Sequence, residues 1–204
     1  FMQQIILASN SPRRKELLGM ILPEFTVMPS RFDEDGMARD GMEACQIVCA
    51  LSQEKAQEVF NRYRAENPDE EICVIGGDTI VVSPDGEVMG KPSSREDAGR
   101  MLRQLSGCTH QVITAVTVIA LTGGQVLKRV FPVRTDVVFY PLDEMEIQRY
   151  LDTGEPFDKA GSYGIQGYGG LLVERIAGDY NNVVGLPVAR LMREMREMGL
   201  LLEH

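Results

Sequence analysis

The 204-residue sequence predicts an α/β fold, and three observations predict it. Residues 5 to 8 form a short apolar run that ends in Ser9, Asn10 and Ser11 and hands over at Pro12 to a helical pattern. Residues 72 to 82, ICVIGGDTIVV, have the length and composition of a buried strand and follow a long helical stripe. Residues 111 to 140 are rich in Val, Ile and Thr around Gly123-Gly124, which reads as two long strands joined by a hairpin turn.

Each element has a local reason. Ser11 offers an N-cap and Pro12 a first-turn proline, so the first strand passes through a tight turn into a helix. Residues 25 to 28 read as a second strand, followed by an acidic loop, Arg31-Phe32-Asp33-Glu34-Asp35. Residues 42 to 67 read as a long helix whose apolar stripe runs Ala44, Val48, Leu51, Val59 and Tyr63. Lys55 occupies the missing place on that stripe, where it either snorkels outward or points its ammonium into a cleft. Ser83-Pro84-Asp85-Gly86 is a turn signal, and Gly90-Lys91-Pro92 makes a further loop. Ser93 or Ser94 caps a helix that reaches Leu105 and stops at Ser106-Gly107. Residues 143 to 152 predict a helix closed by Gly154, and a glycine-rich stretch, EPFDKAGSYGIQGYGG, follows. Residues 171 to 176 read as a strand, and Pro187 opens a last helix that Gly199 can close.

Composition narrows the function classes. The length suffices for one sizeable core or for two small lobes sharing a sheet. With 21 basic against 30 acidic side chains the formal charge is −9, which opposes a general grip on nucleic-acid polymers or an anionic membrane. Any bound anion is then small and held locally. Cys45, Cys49, Cys73 and Cys108 form no CxxC pair and read as buried thiols rather than a disulfide or metal set, in keeping with a reducing cytoplasm. No charged leader or membrane-length apolar segment is apparent at the start. Phe1 before Met2, and the closing Leu202-Glu203-His204, read as expression additions and carry no functional weight.

The chemistry centres on Ser11-Pro12-Arg13-Arg14. Free amides at a helix start, serine hydroxyls and two guanidiniums make an anion site suited to phosphate, against the plainer reading of two solvated arginines. Lys55 and Lys91 add cations, while Glu34 and Asp78 offer carboxylates for a divalent metal; taken alone, each carboxylate reads equally as solvated or locally capped. A carboxylate inside an apolar strand, as at Asp78, is costly unless it is paired or coordinates something. Gly90-Lys91 lacks the upstream glycine of a P-loop, and the glycines of 161 to 170 do not open a helix after a strand, so a dinucleotide fingerprint is excluded. His110 is the one histidine away from the tail, too few for a zinc cluster, and reads as structural.

Together, Ser9-Asn10-Ser11-Pro12-Arg13-Arg14, Glu54-Lys55-Ala56, Gly77-Asp78-Thr79, Gly90-Lys91-Pro92, Leu105-Ser106-Gly107 with His110, and Asp158-Lys159-Ala160-Gly161 with Gly164-Ile165-Gln166-Gly167 resemble the Maf family of nucleoside triphosphate pyrophosphatases. The motifs occur in the family's order and span nearly the whole chain. The resemblance implies a single domain over 1–204 with an elongated mixed central sheet, flanking helices and two lobes around a cleft, similar to inosine triphosphate pyrophosphatases. It implies hydrolysis of a nucleoside triphosphate to the monophosphate and pyrophosphate, with a divalent metal, Mg²⁺ or Mn²⁺, as cofactor. Asp78 matches the family's proton acceptor and, with Glu34, the metal carboxylates; Ser9, Ser11, Arg14, Lys55, Lys91 and Lys159 match substrate-facing residues. Arg13, Thr79 and Gln166 resemble the branch acting on dTTP and UTP, whereas the 7-methyl-GTP branch has tryptophan, glutamine and glutamate there. Asn10 and Phe157 depart from the commoner family residues, and neither touches the expected chemistry. A homodimer is compatible with the resemblance. The competing expectations are a phosphatase that removes only the terminal phosphate, and a nucleotide-sensing regulator of cell division with little turnover.

Overall fold

The computed structural model describes residues 4–201, so the terminal residues read as expression additions lie outside it. It contains a seven-stranded mixed sheet flanked by helices. The strands are β1 (Gln4–Leu7), β2 (Thr26–Val27), β3 (Ile72–Val82), β4 (Val88–Met89), β5 (Thr109–Thr122), β6 (Gln125–Phe139) and β7 (Val173–Ala177). Their order is β2-β1-β3-β5-β6-β7, with β4 paired to β3. β1 is parallel to both β2 and β3, while β3–β4 and β6–β7 are antiparallel. The helices are α1 (Pro12–Leu18), α2 (Ala44–Glu66), α3 (Arg95–Leu105), α4 (Glu144–Asp152), α5 (Tyr180–Val184) and α6 (Val188–Glu197).

The expected signals operate as local chemistry. Ser11 Oγ accepts the Arg14 amide and Ser94 Oγ accepts the Asp97 amide, while Asp143, read from the sequence as the first helical residue, instead caps its helix by accepting the Glu146 amide at Oδ1. The predicted strand at 171 to 176 begins later, at Val173, because residues 167 to 171 form a 3₁₀ turn in which the Leu172 amide bonds the Gly169 carbonyl. All four cysteines are free, but only Cys73 is buried; Cys45, Cys49 and Cys108 are partly exposed. Among the described residues no helix is long and apolar enough to cross a membrane.

Two compact units divide the chain. The first comprises residues 1–78, 115–132 and 185–204, and the second 79–114 and 133–184. In the first unit a cluster of Ile6, Ala8, Ala56, Val59, Phe60, Ile72, Val74 and Ile119 packs α2 onto the strands. Here Gly76 matters. A Cβ on Gly76 would meet the Ala56 methyl at 2.8 Å and the Ser52 carbonyl at 3.0 Å, so the glycine lets α2 lie directly on β3.

In the second unit α3 and α4 cover Val112, Val137 and Phe139. His110 is buried there, edge-on to Phe139 and Tyr163, with Nε2 2.6 Å from Tyr163 Oη. Burial pushes its pKa down to about 4, which agrees with the structural reading. Because the folded value lies below the unfolded one, near 6.5, the neutral ring contributes stability above about pH 6.5, and that contribution is lost as pH falls toward 4. Roughly 3 kcal/mol is expected to disappear over that window. Denaturant titrations at several pH values would measure it, and a His110→Phe variant should lack that share of the acid slope.

Candidate active site

Asp78 lies in β3 immediately after the Gly76-Gly77 pair, and those glycines explain its surroundings. With α2 drawn onto Gly76, Lys55, one residue before Ala56, carries its ammonium to Asp78 Oδ1 at 2.6 Å. The same Nζ lies 2.6 Å from Glu34 Oε1 in the acidic loop. Lys55 therefore does not snorkel into solvent; it joins two carboxylates contributed by different elements. Its side chain and that of Asp78 are largely buried, while Glu34 is about half exposed.

Gly77 makes room on the other flank. A Cβ there would stand 3.2 Å from Arg14 Nε, so the arginine runs close beside the strand. Arg14 Nε donates to the Gly185 carbonyl at 2.8 Å and Nη1 to Ser9 Oγ at 3.3 Å. Ser9 Oγ also accepts the Ser11 amide at 3.2 Å, so with two acceptances its own proton is left to donate. α1 has only seven residues, so what the turn offers is the anchored guanidinium and the hydroxyls more than helix length.

The electrostatics follow from the packing. Burial pushes the Asp78 carboxyl above its ordinary value, and Glu34 pushes the same way; Lys55 and Arg14 oppose them. Burial likewise pulls Arg14 below its ordinary value, with Asp78 acting against it and Arg13 with it. The result is a carboxylate made more basic by desolvation and kept beside two cations, which suits a group that takes a proton from water.

Ser9, Ser11, Arg13, Arg14, Glu34, Lys55 and Asp78 all belong to the first unit. Thr79, Lys91, Lys159 and Gln166 belong to the second. Thr79 Oγ1 is 2.8 Å from Thr114 Oγ1, and Lys91 and Gln166 are exposed. Lys159 Nζ donates to the Glu155 carbonyl at 2.7 Å and to Asp158 Oδ1 at 2.9 Å. The sequence reading missed Gly185, whose carbonyl anchors Arg14 from 171 residues away; an isolated Gly before Leu-Pro carries no such signal.

Residues 4–198 match the family described as Maf-like protein. The chain belongs to that family. Among its relatives, a dTTP/UTP pyrophosphatase of Agathobacter rectalis is 48% identical over 98% of this chain and 99% of the relative. One from Bacillus velezensis is 48% identical over 97% and 98%, and one from Hahella chejuensis 42% over 97% and 94%. With the Maf family established, the mixed sheet and flanking helices are those the sequence motifs implied.

Proposed function

We propose that this Maf chain hydrolyses nucleoside triphosphates, dTTP and UTP foremost, to the monophosphate and pyrophosphate. The observation that carries the reading is the buried Asp78 carboxylate held at 2.6 Å from Lys55 beside an anchored Arg14. The names of the relatives supply the substrates.

Asp78 takes a proton from the water that attacks the α-phosphorus, the bond to the bridging oxygen breaks, and pyrophosphate leaves. Arg14 and Lys55 face the negative charge that develops on the phosphoryl oxygens, and Ser9 and Ser11 bring hydroxyls to the same turn. Lys91 and Lys159 are proposed as substrate contacts, and Arg13, Thr79 and Gln166 as residues that choose the base, from the Maf motifs that they match.

Glu34 and Asp78 are hard oxygen donors meeting at one ammonium, which fits a site for Mg²⁺ or Mn²⁺. Among the described residues no group of three or more His, Cys, Asp or Glu side chains gathers, so phosphate oxygens would complete the shell. Such an ion supplies charge neutralisation at the phosphoryl oxygens when bound. The four free thiols support placement in a reducing cytoplasm, and the charge of −9 supports a small anion over a nucleic-acid polymer.

The test is a panel of triphosphates with Mg²⁺ or Mn²⁺ and identification of the products. Pyrophosphate with monophosphate is expected. Release of orthophosphate alone would mean a terminal phosphatase, and tight binding without turnover would mean a sensor.

A further inference from the structure

The stretch from Gly164 to Gly169 is fastened at both ends to one carboxylate, that of Glu155. At its far end the Tyr168 amide donates to Glu155 Oε2 at 3.0 Å and the Gly169 amide to Oε1 at 3.2 Å. At its near end the Gly164 amide donates to Tyr150 Oη at 3.1 Å, and that hydroxyl donates onward to Glu155 Oε1 at 3.4 Å. All of these residues belong to the second unit.

The glycines follow from this closure. A Cβ on Gly167 would stand 2.9 Å from Glu155 Oε2, and one on Gly164 would stand 2.7 Å from Lys159 Cε, whose ammonium donates to the Glu155 main-chain carbonyl. Between the fastened ends Ile165 packs inward against the core of the unit, and Gln166 is exposed. A carboxylate suits the place because it only accepts. Three donors converge on its two oxygens, and a side-chain amide in its stead would turn an N–H toward at least one of them.

We infer that Glu155 is a positioning residue for recognition of the base: its carboxylate holds this stretch closed, so that Gln166 meets the pyrimidine from a fixed place. The inference rests on the proposed choice of the base by Gln166. A segment ordered before the nucleotide arrives loses less freedom when it binds, so the closure acts on affinity.

The experiment measures KM and kcat for dTTP in the parent protein, in Glu155→Gln, in Gln166→Ala and in the double variant. Glu155→Gln sets donor against donor at the closure and should raise KM about tenfold. Its kcat should stay near parental, since Asp78, Lys55 and Arg14 belong to the other unit. Gln166→Ala should raise KM by a similar factor, and adding Glu155→Gln to it should change little, because one residue acts through the other. A parental KM in Glu155→Gln overturns the positioning role, since a part in folding alone lowers the active fraction and leaves KM in place. Effects on KM that multiply in the double variant overturn it as well. A KM untouched by Gln166→Ala overturns the base contact on which the role rests, and release of pyrophosphate by that variant then leaves the proposed activity standing. Should Glu155→Gln not fold, Tyr150→Phe decides, because it cuts only the link to Gly164. A severalfold rise in KM that disappears in the Gln166→Ala background is then expected, and a parental KM overturns the inference.

Discussion

Asp78→Asn is expected to release pyrophosphate from dTTP about 10²–10⁴-fold more slowly than the parent, the range of a lost general base. The substitution keeps the shape of the side chain and an oxygen for Lys55 at the position now 2.6 Å away, and Lys55 retains Glu34. What it removes is a group able to take a proton. Nucleotide binding should therefore survive, and initial rates of pyrophosphate release with a calorimetric binding isotherm would separate the two. Parental turnover in the variant would remove Asp78 from the chemistry. The pH profile adds a check. Since burial raises the Asp78 pKa, the rate should fall with decreasing pH at a value above that of an ordinary carboxylate, and this limb should vanish from the residual rate of the variant.

The second large effect is on folding. A Cβ at Gly169 would stand 1.8 Å from the Gly164 carbonyl oxygen and 2.8 Å from Tyr150 Oη, so Gly169→Ala cannot be absorbed by rotating a side chain. The backbone of the glycine-rich stretch would have to open. That would disturb the Glu155 carboxylate, which accepts the amides of Tyr168 and Gly169, and the bond from the Gly164 amide to Tyr150 Oη. A loss of about 3 kcal/mol or more is expected, at the upper end of overpacking costs. Thermal unfolding would measure it. Gly90→Ala serves as the comparison, because a Cβ there meets nothing within 4 Å, and its midpoint should stay near that of the parent.

These two sites also show what could be read from the sequence. The run ICVIGGDTIVV coincides with β3, and Ser11 and Ser94 cap the helices that their positions announced, because strand length and capping are local chemistry. That two glycines precede Asp78 was visible; why they do so was not. The reason is the approach of α2 on one flank and Arg14 on the other, and both are tertiary facts. The gap in the apolar stripe at Lys55 marked a residue with two possible destinations, and only the folded chain brings Glu34 and Asp78 to it. The short α5, which carries Asn182, went unread, since five residues are too few for a helical period to show.

The bond from Arg14 to the Gly185 carbonyl has a consequence for how the protein is made. A ribosome finishes α1, α2 and Asp78 early, yet the residue that holds the Arg14 guanidinium arrives 171 residues after it. A nascent chain stalled before Gly185 would carry the acid and the lysine but an arginine without that anchor. Competence should thus appear only once Gly185 has been made, and chains terminated before it should be poor scavengers of nucleotides.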